Sequence, residues 1–305
     1  MMQTPLRDGR KSRHEISHAD SIPPPVGGWN TRDPEANMKP KYALLLDNWF
    51  PDTGAVKLRP GATAFCTSVG PNETVKTLCS WKGPASQKLF AFTDAGIYDI
   101  SAGGAITSVD QAYTNGYACY VNFTTTGGSW MVAVNGTDDM VYTNGSTWTV
   151  LASFAINGGG TLLTKDISNI NSFKRSLYYI EKNSMSFFYL PIDSITGTVS
   201  EFPIGALFTK GGKLVAMGTW TIDGATGQDD YSVFITDQGQ AAVYQGTDPS
   251  STTTWALKGI YDLSPPIGLK CFCKFGGDLL VLTQRGLFSL TRILLDKRQN
   301  ENAAL

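Results

Sequence analysis

The sequence is poor in the residues that enzymes use most often for acid–base and nucleophilic chemistry. Its 305 residues contain two histidines, His14 and His18, and both fall in a polar N-terminal stretch. A Ser-His-Asp or Cys-His site would therefore have to be built from a tail. The sequence also lacks a Gly-x-Ser-x-Gly elbow, a phosphate-binding glycine loop and a His-Glu-x-x-His motif. We predict that the chain is not an enzyme and binds no cofactor.

Charge and long apolar runs are scarce as well. Charged residues make up 17% of the chain and the net charge is −1. This balance argues against a general nucleic-acid binder, because such proteins neutralise phosphates with a basic face. A local basic strip stays open as an alternative. No eighteen apolar residues run together, and the N-terminus has no signal-peptide core. We expect no membrane insertion and synthesis in a reducing cytoplasm.

The five cysteines show neither Cys-x-x-Cys spacing nor neighbouring histidines, so we expect reduced, mostly buried thiols and no zinc site. Acidic residues cluster in two turns, at Asp138 and Asp139 and in the loop that holds Asp223, Asp229 and Asp230. We interpret both clusters as turn chemistry. A calcium site in the second loop stays open as an alternative.

Glycine, threonine, serine and asparagine are abundant, which is typical of a β-rich chain with many turns. We divide the chain into a flexible arm (1–21), an extended strap that leads into the first strand (22–69), a β-propeller (70–295) and a C-terminal tail (296–305). The strap begins with the run Pro23 to Pro25, which forms a stiff extended spacer.

The propeller prediction comes from an internal repeat. One unit recurs five times: a strand ending in an aromatic residue, a turn, a strongly apolar strand, a polar turn and another apolar strand. The anchoring aromatics are spaced 42, 50, 47 and 55 residues apart: Trp81, Phe123, Phe173, Trp220 and Phe275. Propeller blades have periods of about 40 to 50 residues. We predict an all-β fold, a β-propeller of five to six blades, with these aromatics at equivalent positions.

Some alternatives remain open at this point. A β-sandwich or an irregular β-solenoid with regular turns would give a similar pattern. The strand from Val56 to Phe65, or the residues after 290, could complete a further blade.

The strap reads VGGWNTRDPEANMKPKYALLLDNWFPDTGAVKLRPG from Val26 to Gly61. Its prolines and glycines exclude a regular helix, yet Trp29, Trp49 and Phe50 are too apolar to stay unpacked. The segment resembles the N-terminal region of tail nozzle and tail hub proteins, of the tail tubular protein B or packaged-DNA stabilisation type, from short-tailed double-stranded-DNA phages. The matching positions are Gly27, Gly28, Asn30, Arg32, Asp33, Pro34, Asn37, Met38, Asp47 to Pro51, Arg59, Pro60 and Gly61.

The resemblance implies a structural virion protein, present in the host cytoplasm before assembly and in the tail afterwards. It would form a ring, with six copies expected, below the portal and adaptor proteins and next to tail fibre or needle proteins. Genomic DNA would pass through the channel without sequence-specific binding. The residues that the resemblance assigns to the assembly interface are Trp29, Asn30, Arg32, Asp33, Pro34, Asp47, Asn48, Trp49, Phe50, Pro51 and Arg59.

Two competing hypotheses accompany this one. The strap could pack on its own propeller instead of on a neighbour. The chain could also be a virion or surface propeller that binds a glycan or a protein receptor, in which case Trp and Tyr should be exposed over polar side chains in one loop cluster.

Overall fold

The computed structural model describes residues 23–71, 73–224 and 227–295. The chain divides into two compact units, with the boundary between Ala64 and Phe65. The predicted arm with His14 and His18, and the predicted C-terminal tail, lie outside the described residues.

The first unit is the strap, and its regular structure consists of four short strands. They are β1 (Gly28–Trp29), β2 (Tyr42–Ala43), β3 (Trp49–Asp52) and β4 (Ala55–Leu58). Strands β1 and β2 pair in parallel, with a single 3-10 turn at Glu35–Asn37 between them. Strands β3 and β4 form an antiparallel hairpin. The hairpin turn is made by Thr53 and Gly54, and glycine suits this turn because its φ is +73°.

The second unit is an all-β propeller of five blades, which confirms the predicted fold class. Blade 1 contains β6 (Thr77–Lys82), β7 (Gln87–Phe92) and β8 (Ile97–Asp99). It is accompanied by a parallel pair, β5 (Cys66–Val69) and β9 (Gly104–Ile106). Blade 2 contains β10 (Cys119–Thr125), β11 (Gly128–Val134), β12 (Met140–Thr143) and β13 (Trp148–Leu151).

Blade 3 is a six-stranded sheet. Its strands are β14 (Ser153–Ile156), β15 (Thr161–Leu163), β16 (Ile167–Phe173), β17 (Ser176–Glu181), β18 (Ser186–Tyr189) and β19 (Thr198–Pro203), with β14 and β15 beyond β19. Blade 4 contains β20 (Leu214–Gly224), β21 (Gly227–Thr236), β22 (Gln240–Gly246) and β23 (Trp255–Asp262). Blade 5 contains β24 (Phe272–Phe275), β25 (Asp278–Thr283) and β26 (Gly286–Ser289), and helix α1 (Leu290–Leu295) follows it.

The core is divided into layers between successive blades. Four apolar clusters join blades 1 and 2, 2 and 3, 3 and 4, and 4 and 5. Strand β6 shows how the sequence produces these layers, since Thr77, Cys79 and Trp81 are buried and the residues between them are exposed. The middle strands are almost wholly buried because both of their faces meet a neighbouring blade.

The first strands of the blades are joined around the axis by asparagine side chains. The Asn169 amide nitrogen donates to the carbonyl oxygen of Leu269 at 3.1 Å, and its amide oxygen accepts from the backbone NH of Met217 at 3.2 Å. Asn122 donates to the carbonyl oxygen of Ser80 at 2.8 Å. The bonds to Met217 and Ser80 join successive blades, and the bond to Leu269 joins blade 3 to the segment before blade 5.

The two segments that the sequence suggests for a further blade, Val56 to Phe65 and the residues after 290, form other structures. Strand β4, which includes Val56, pairs inside the strap with β3, and residues 290–295 form a short helix. Strand β5 belongs to the propeller unit, because its partner β9 is close in space although distant in sequence.

Candidate functional site

The first part of the strap is a chain of turns fixed by local hydrogen bonds. The Asn30 side-chain oxygen accepts from the backbone NH groups of Arg32 and Asp33 at 3.0 and 3.2 Å, and its amide donates to the Asp33 carboxylate at 2.8 Å. This is an Asx turn, the local geometry that asparagine favours. The Trp29 indole NH donates to the carbonyl oxygen of Leu44 at 2.9 Å, and Pro34 then leads into the 3-10 turn.

The second part of the strap is the β3–β4 hairpin, which has two different faces. Residues directly opposite each other on antiparallel strands share a face, and Trp49 pairs with Leu58 while Pro51 pairs with Val56. These four residues define the apolar face of the hairpin. The other face carries Phe50 together with an ion pair between Lys57 and Asp52.

The ends of the hairpin are also fixed. Asn48 takes a left-handed conformation with φ of 61°, which asparagine tolerates better than most residues, and its carbonyl oxygen accepts from the backbone NH of Arg59 at 2.7 Å. The hydrogen bond from Lys57, followed by that from the Thr53 backbone, lowers the pKa of Asp52. Asp47 lies in the turn just before and is exposed.

The strap is folded locally but buries almost nothing. Among its described residues, 23–64, only Gly28 is buried, and all eleven residues assigned to the interface are exposed or half-buried. Trp29, Trp49 and Phe50 are 67%, 46% and 56% exposed. The two parts of the strap approach each other at Gly28. A Cβ atom added to Gly28 would lie 3.4 Å from the Cγ atom of Pro51.

Four large exposed apolar residues of the strap were not assigned to the interface from the sequence: Val26, Leu44, Leu45 and Leu58. Leu58 and Leu45 are 62% and 73% exposed. The alternation of β4 could have identified Leu58, because it stands opposite Trp49 in the hairpin.

A second exposed apolar surface lies on blade 5. Phe275 occupies the predicted repeat position at the end of the first strand, where it pairs with Asp278, but it is 71% exposed. Its four counterparts are buried, as sequence analysis predicts for equivalent positions. The prediction is therefore wrong for the environment of Phe275, because the layer of core that covers each counterpart comes from the following blade.

The axis of the propeller carries an opening of about 300 Å³ at one end. It is lined by polar and apolar side chains, including Tyr120, Asn171, Met217 and Lys270. The Lys270 ammonium lies 3.4 Å from the Thr77 hydroxyl, so the segment before β24 reaches the start of β6 at this point.

The buried thiols have raised pKa values. Burial raises the pKa of Cys79 and Cys119, and it raises the pKa of Cys271 to about 12. Thiols with raised pKa values are poor nucleophiles near neutral pH. Cys273, in contrast, is exposed on blade 5.

Two of the carboxylates singled out in the sequence, Asp138 and Asp230, bond to neighbouring segments of the chain. The Asp138 carboxylate accepts from Thr114 and Asn115 backbone NH groups at 2.8 and 3.1 Å and from the Asn135 amide at 2.8 Å. Burial would raise the pKa of Asp138, but hydrogen bonds from Thr114 and Asn135 bring it below its ordinary value. Asp138 thus fastens the turn after β11 to the segment that precedes β10.

The second acidic cluster lies on paired strands and not in a loop, which corrects the interpretation from the sequence: Asp223 is on β20, and Asp229 and Asp230 are on β21. Asp230 accepts from Thr221 at 2.8 Å and pairs with Lys174, which lowers the pKa of Asp230. The side chains of Asp223 and Asp229 lie outside the described residues. Within the described part of the chain, no group of three or more His, Cys, Asp or Glu residues is placed to hold a metal ion.

A cleft of about 520 Å³ lies between loops of blades 3 and 4. Its lining includes Tyr189, Ile192, Asn157, Asp248 and Ser250. Ser200 and Ser250 line the same cleft as Tyr189. One tyrosine and several polar groups therefore meet in a single loop cluster.

Comparison with known proteins adds little to the description of the fold given above. No protein-family model and no curated protein matches the chain. A solved structure of BBS1N in complex with ARL6DN is 15% identical, with a TM-score of 0.45, and the match covers 72% of this chain and 66% of that chain, just under two thirds. A putative 6-phosphogluconolactonase from Bacteroides uniformis is 12% identical, with a TM-score of 0.41 and coverage of 84% and 74%. Likenesses this distant carry no functional argument.

No helix in the described ranges is long and apolar enough to cross a membrane.

Proposed function

We propose that this chain is a structural subunit of the tail nozzle or hub ring of a short-tailed double-stranded-DNA phage. In this role it lies below the portal and adaptor and forms part of the channel through which the genome leaves. The proposal starts from the resemblance of the strap, from Gly27 to Gly61, to the same region of those proteins. Its partners are other copies of itself, the portal and adaptor proteins, and tail fibre or needle proteins.

The observation that carries the proposal is the exposed apolar face of the strap hairpin. Trp49 and Leu58 stand opposite each other and are 46% and 62% exposed. An isolated two-stranded hairpin is marginally stable in water, and burying one large apolar side chain stabilises by about 2 kcal/mol. The hairpin therefore gains most of its stability when another surface covers this face, as happens between the subunits of a ring.

The passage of DNA is assigned to the centre of the ring and not to the propeller axis. The axial opening of about 300 Å³ is far too small for a duplex. The net charge of −1 suits a wall past which DNA slides, because a dense Lys and Arg lining would hold the phosphates.

The proposal is tested by measuring the mass of the purified full chain with light scattering and by imaging it in negative stain. We expect closed rings for the natural sequence, and a shift towards smaller species for Trp49→Ala. Leu163→Ala is the matched control, since Leu163 is 42% exposed on β15 of blade 3. Natural chain that stays monomeric at every concentration tested, alone and with adaptor protein, contradicts the proposal.

The cleft between blades 3 and 4 favours one other function, the binding of a glycan. Tyr189 and Ile192 offer apolar surface there, and Asp248 offers hydrogen-bond acceptors for sugar hydroxyls. Saturation-transfer NMR with a set of neutral monosaccharides and disaccharides tests this. Glycan binding predicts a signal that Asp248→Ala abolishes and that Asp139→Ala, at a turn of blade 2, retains.

A further inference from the structure

The first four blades share one way of burying their anchoring aromatic residue. In each of them the aromatic lies on the face that meets the next blade, inside the apolar cluster between the two. The exposed fractions are 5%, 6%, 5% and 2% for Trp81, Phe123, Phe173 and Trp220. In four blades, therefore, the face that carries the anchoring aromatic residue is covered by the next blade.

The same face of blade 5 is covered only in part by the described residues. Phe275 pairs with Asp278 and Cys273 pairs with Leu280, so Phe275, Cys273, Leu280 and Leu282 share the face that points away from blade 4. Leu280 and its neighbour Ser289 on β26 are buried, at 8% and 4% exposed. We call the three exposed residues, Phe275, Cys273 and Leu282, the uncovered face of blade 5. Phe275 and Leu282 are 71% and 43% exposed, and Cys273 is exposed too. The opposite face is covered, since Leu279 and Val281 pack in the cluster with blade 4.

Blade 1 is not available to cover this face. Its own outward face, with Ala91 and Tyr98, is packed against Val69 of β5 and against Ile106 of β9. Among the described residues no apolar cluster spans blades 5 and 1. A second copy could not use blade 1 as a cover without first displacing β5 and β9.

The strap hairpin has the complementary properties. Its apolar face, with Trp49, Pro51, Val56 and Leu58, is left exposed or half-buried, and its other face carries the ion pair between Lys57 and Asp52. The other face also carries Phe50, which is 56% exposed, but only the first face is apolar at all four of its paired positions. The sequence after 295, DKRQNENAAL, is mostly polar and matches an apolar face poorly.

We propose that the uncovered face of blade 5 receives the apolar face of the β3–β4 hairpin from a second copy of this chain. The proposal rests on the ring function and names the contact that builds the ring. The two surfaces lie on different parts of the chain, so the contact is heterologous and repeats from copy to copy until the ring closes.

Two full-length variants and their mixture test the contact. Phe275→Asp and Trp49→Asp each place a carboxylate in the contact, which weakens association by more than about 100-fold because the charge is buried unpaired. We expect each variant alone to be monomeric with an unchanged melting temperature, since both side chains are exposed. A mixture of the two should form dimers that grow no further, because it contains one intact pair of surfaces. Val150→Asp, at a residue 47% exposed on blade 2, should leave rings intact.

A disulfide test uses the natural thiol on the uncovered face. Val56→Cys places a second thiol on the apolar face of the hairpin, and mild oxidation should then link copies into a ladder of covalent oligomers. The double variant Val56→Cys/Cys273→Ser should give no ladder. A cross-link formed only within single chains shows that the strap covers its own blade 5, and this outcome overturns the inference.

The remaining outcomes separate this inference from the ring proposal. If the natural chain forms rings and Phe275→Asp forms the same rings, the ring proposal stands and the blade 5 contact is wrong. Rings lost in both variants, with no dimers in the mixture, also overturn it, because the two surfaces then do not meet. A natural chain that never assembles contradicts the ring proposal itself.

Discussion

The strap and the propeller are built from the same kind of short strand, and they differ in what the side chains touch. In the propeller, a strand such as β11 has Val132 and Met131 on opposite faces, and both are fully buried. In the strap, β3 has Trp49 and Phe50 on opposite faces, and both are exposed. A propeller strand is thus stabilised by packing on both sides, whereas the strap is held by turns and hairpin bonds and keeps its apolar groups available.

The largest expected effect comes from two aromatics at equivalent positions in blades 4 and 5. Trp220→Ala removes a side chain that is 2% exposed and should lower the free energy of unfolding by about 3 to 5 kcal/mol. Phe275→Ala removes one that is 71% exposed and should cost less than about 0.5 kcal/mol in the monomer. Urea denaturation measures the free energy of unfolding of both variants. Equal decreases in this free energy would show that Phe275 is covered.

A smaller effect is expected at the axis. Asn169→Ala removes side-chain hydrogen bonds to Leu269 and Met217, and it leaves the backbone NH of the buried Met217 without this partner. The cost should be about 1 to 3 kcal/mol. Asn122→Ala removes a single bond to Ser80 from an exposed side chain, and it should cost clearly less in the same denaturation experiment.

A pH experiment compares one carboxylate from each unit. The folded-state pKa of Asp138 lies below the ordinary value of 3.8, so its hydrogen bonds stabilise the fold above that pH. This stabilisation declines as the pH falls from 3.8 towards the lower folded-state pKa. Asp138→Asn should therefore flatten the loss of stability between pH 5 and acid, whereas Asp52→Asn, at an exposed ion pair of the strap, should leave it unchanged. Melting curves across this range provide the measurement.

The smallest effect is expected for removal of the whole strap. A chain that begins at Phe65 keeps all five apolar clusters, so its melting temperature should stay within about 2 °C of the monomeric full chain. Calorimetry under conditions that keep both proteins monomeric gives the comparison. A marked drop would mean that the strap packs on its own propeller.

The repeat predicted the blades well. The burial of Trp81 or Trp220 depends on the alternation within its own strand and on the next repeat along the chain. It failed for Phe275, because the exposure of that side chain depends on whether another blade follows. The role of β5 was missed for a related reason, since its partner β9 lies more than thirty residues later. The hairpin of the strap was treated as extended chain, although its alternation and the Thr53-Gly54 turn were present in the sequence.

The β5 and β9 pair makes the two ends of the row of blades different, as the two ends of a linear repeat protein differ. Arrays of stacked repeats need terminal repeats that shield their last apolar faces, and here one end of the array has such a shield in Val69 and Ile106. The other end is shielded less completely, and Phe275 and Leu282 there are 71% and 43% exposed. Amide hydrogen exchange should therefore be slowest in blades 2 and 3 and fastest in blade 5, so that the monomer opens one blade at a time from its less shielded end.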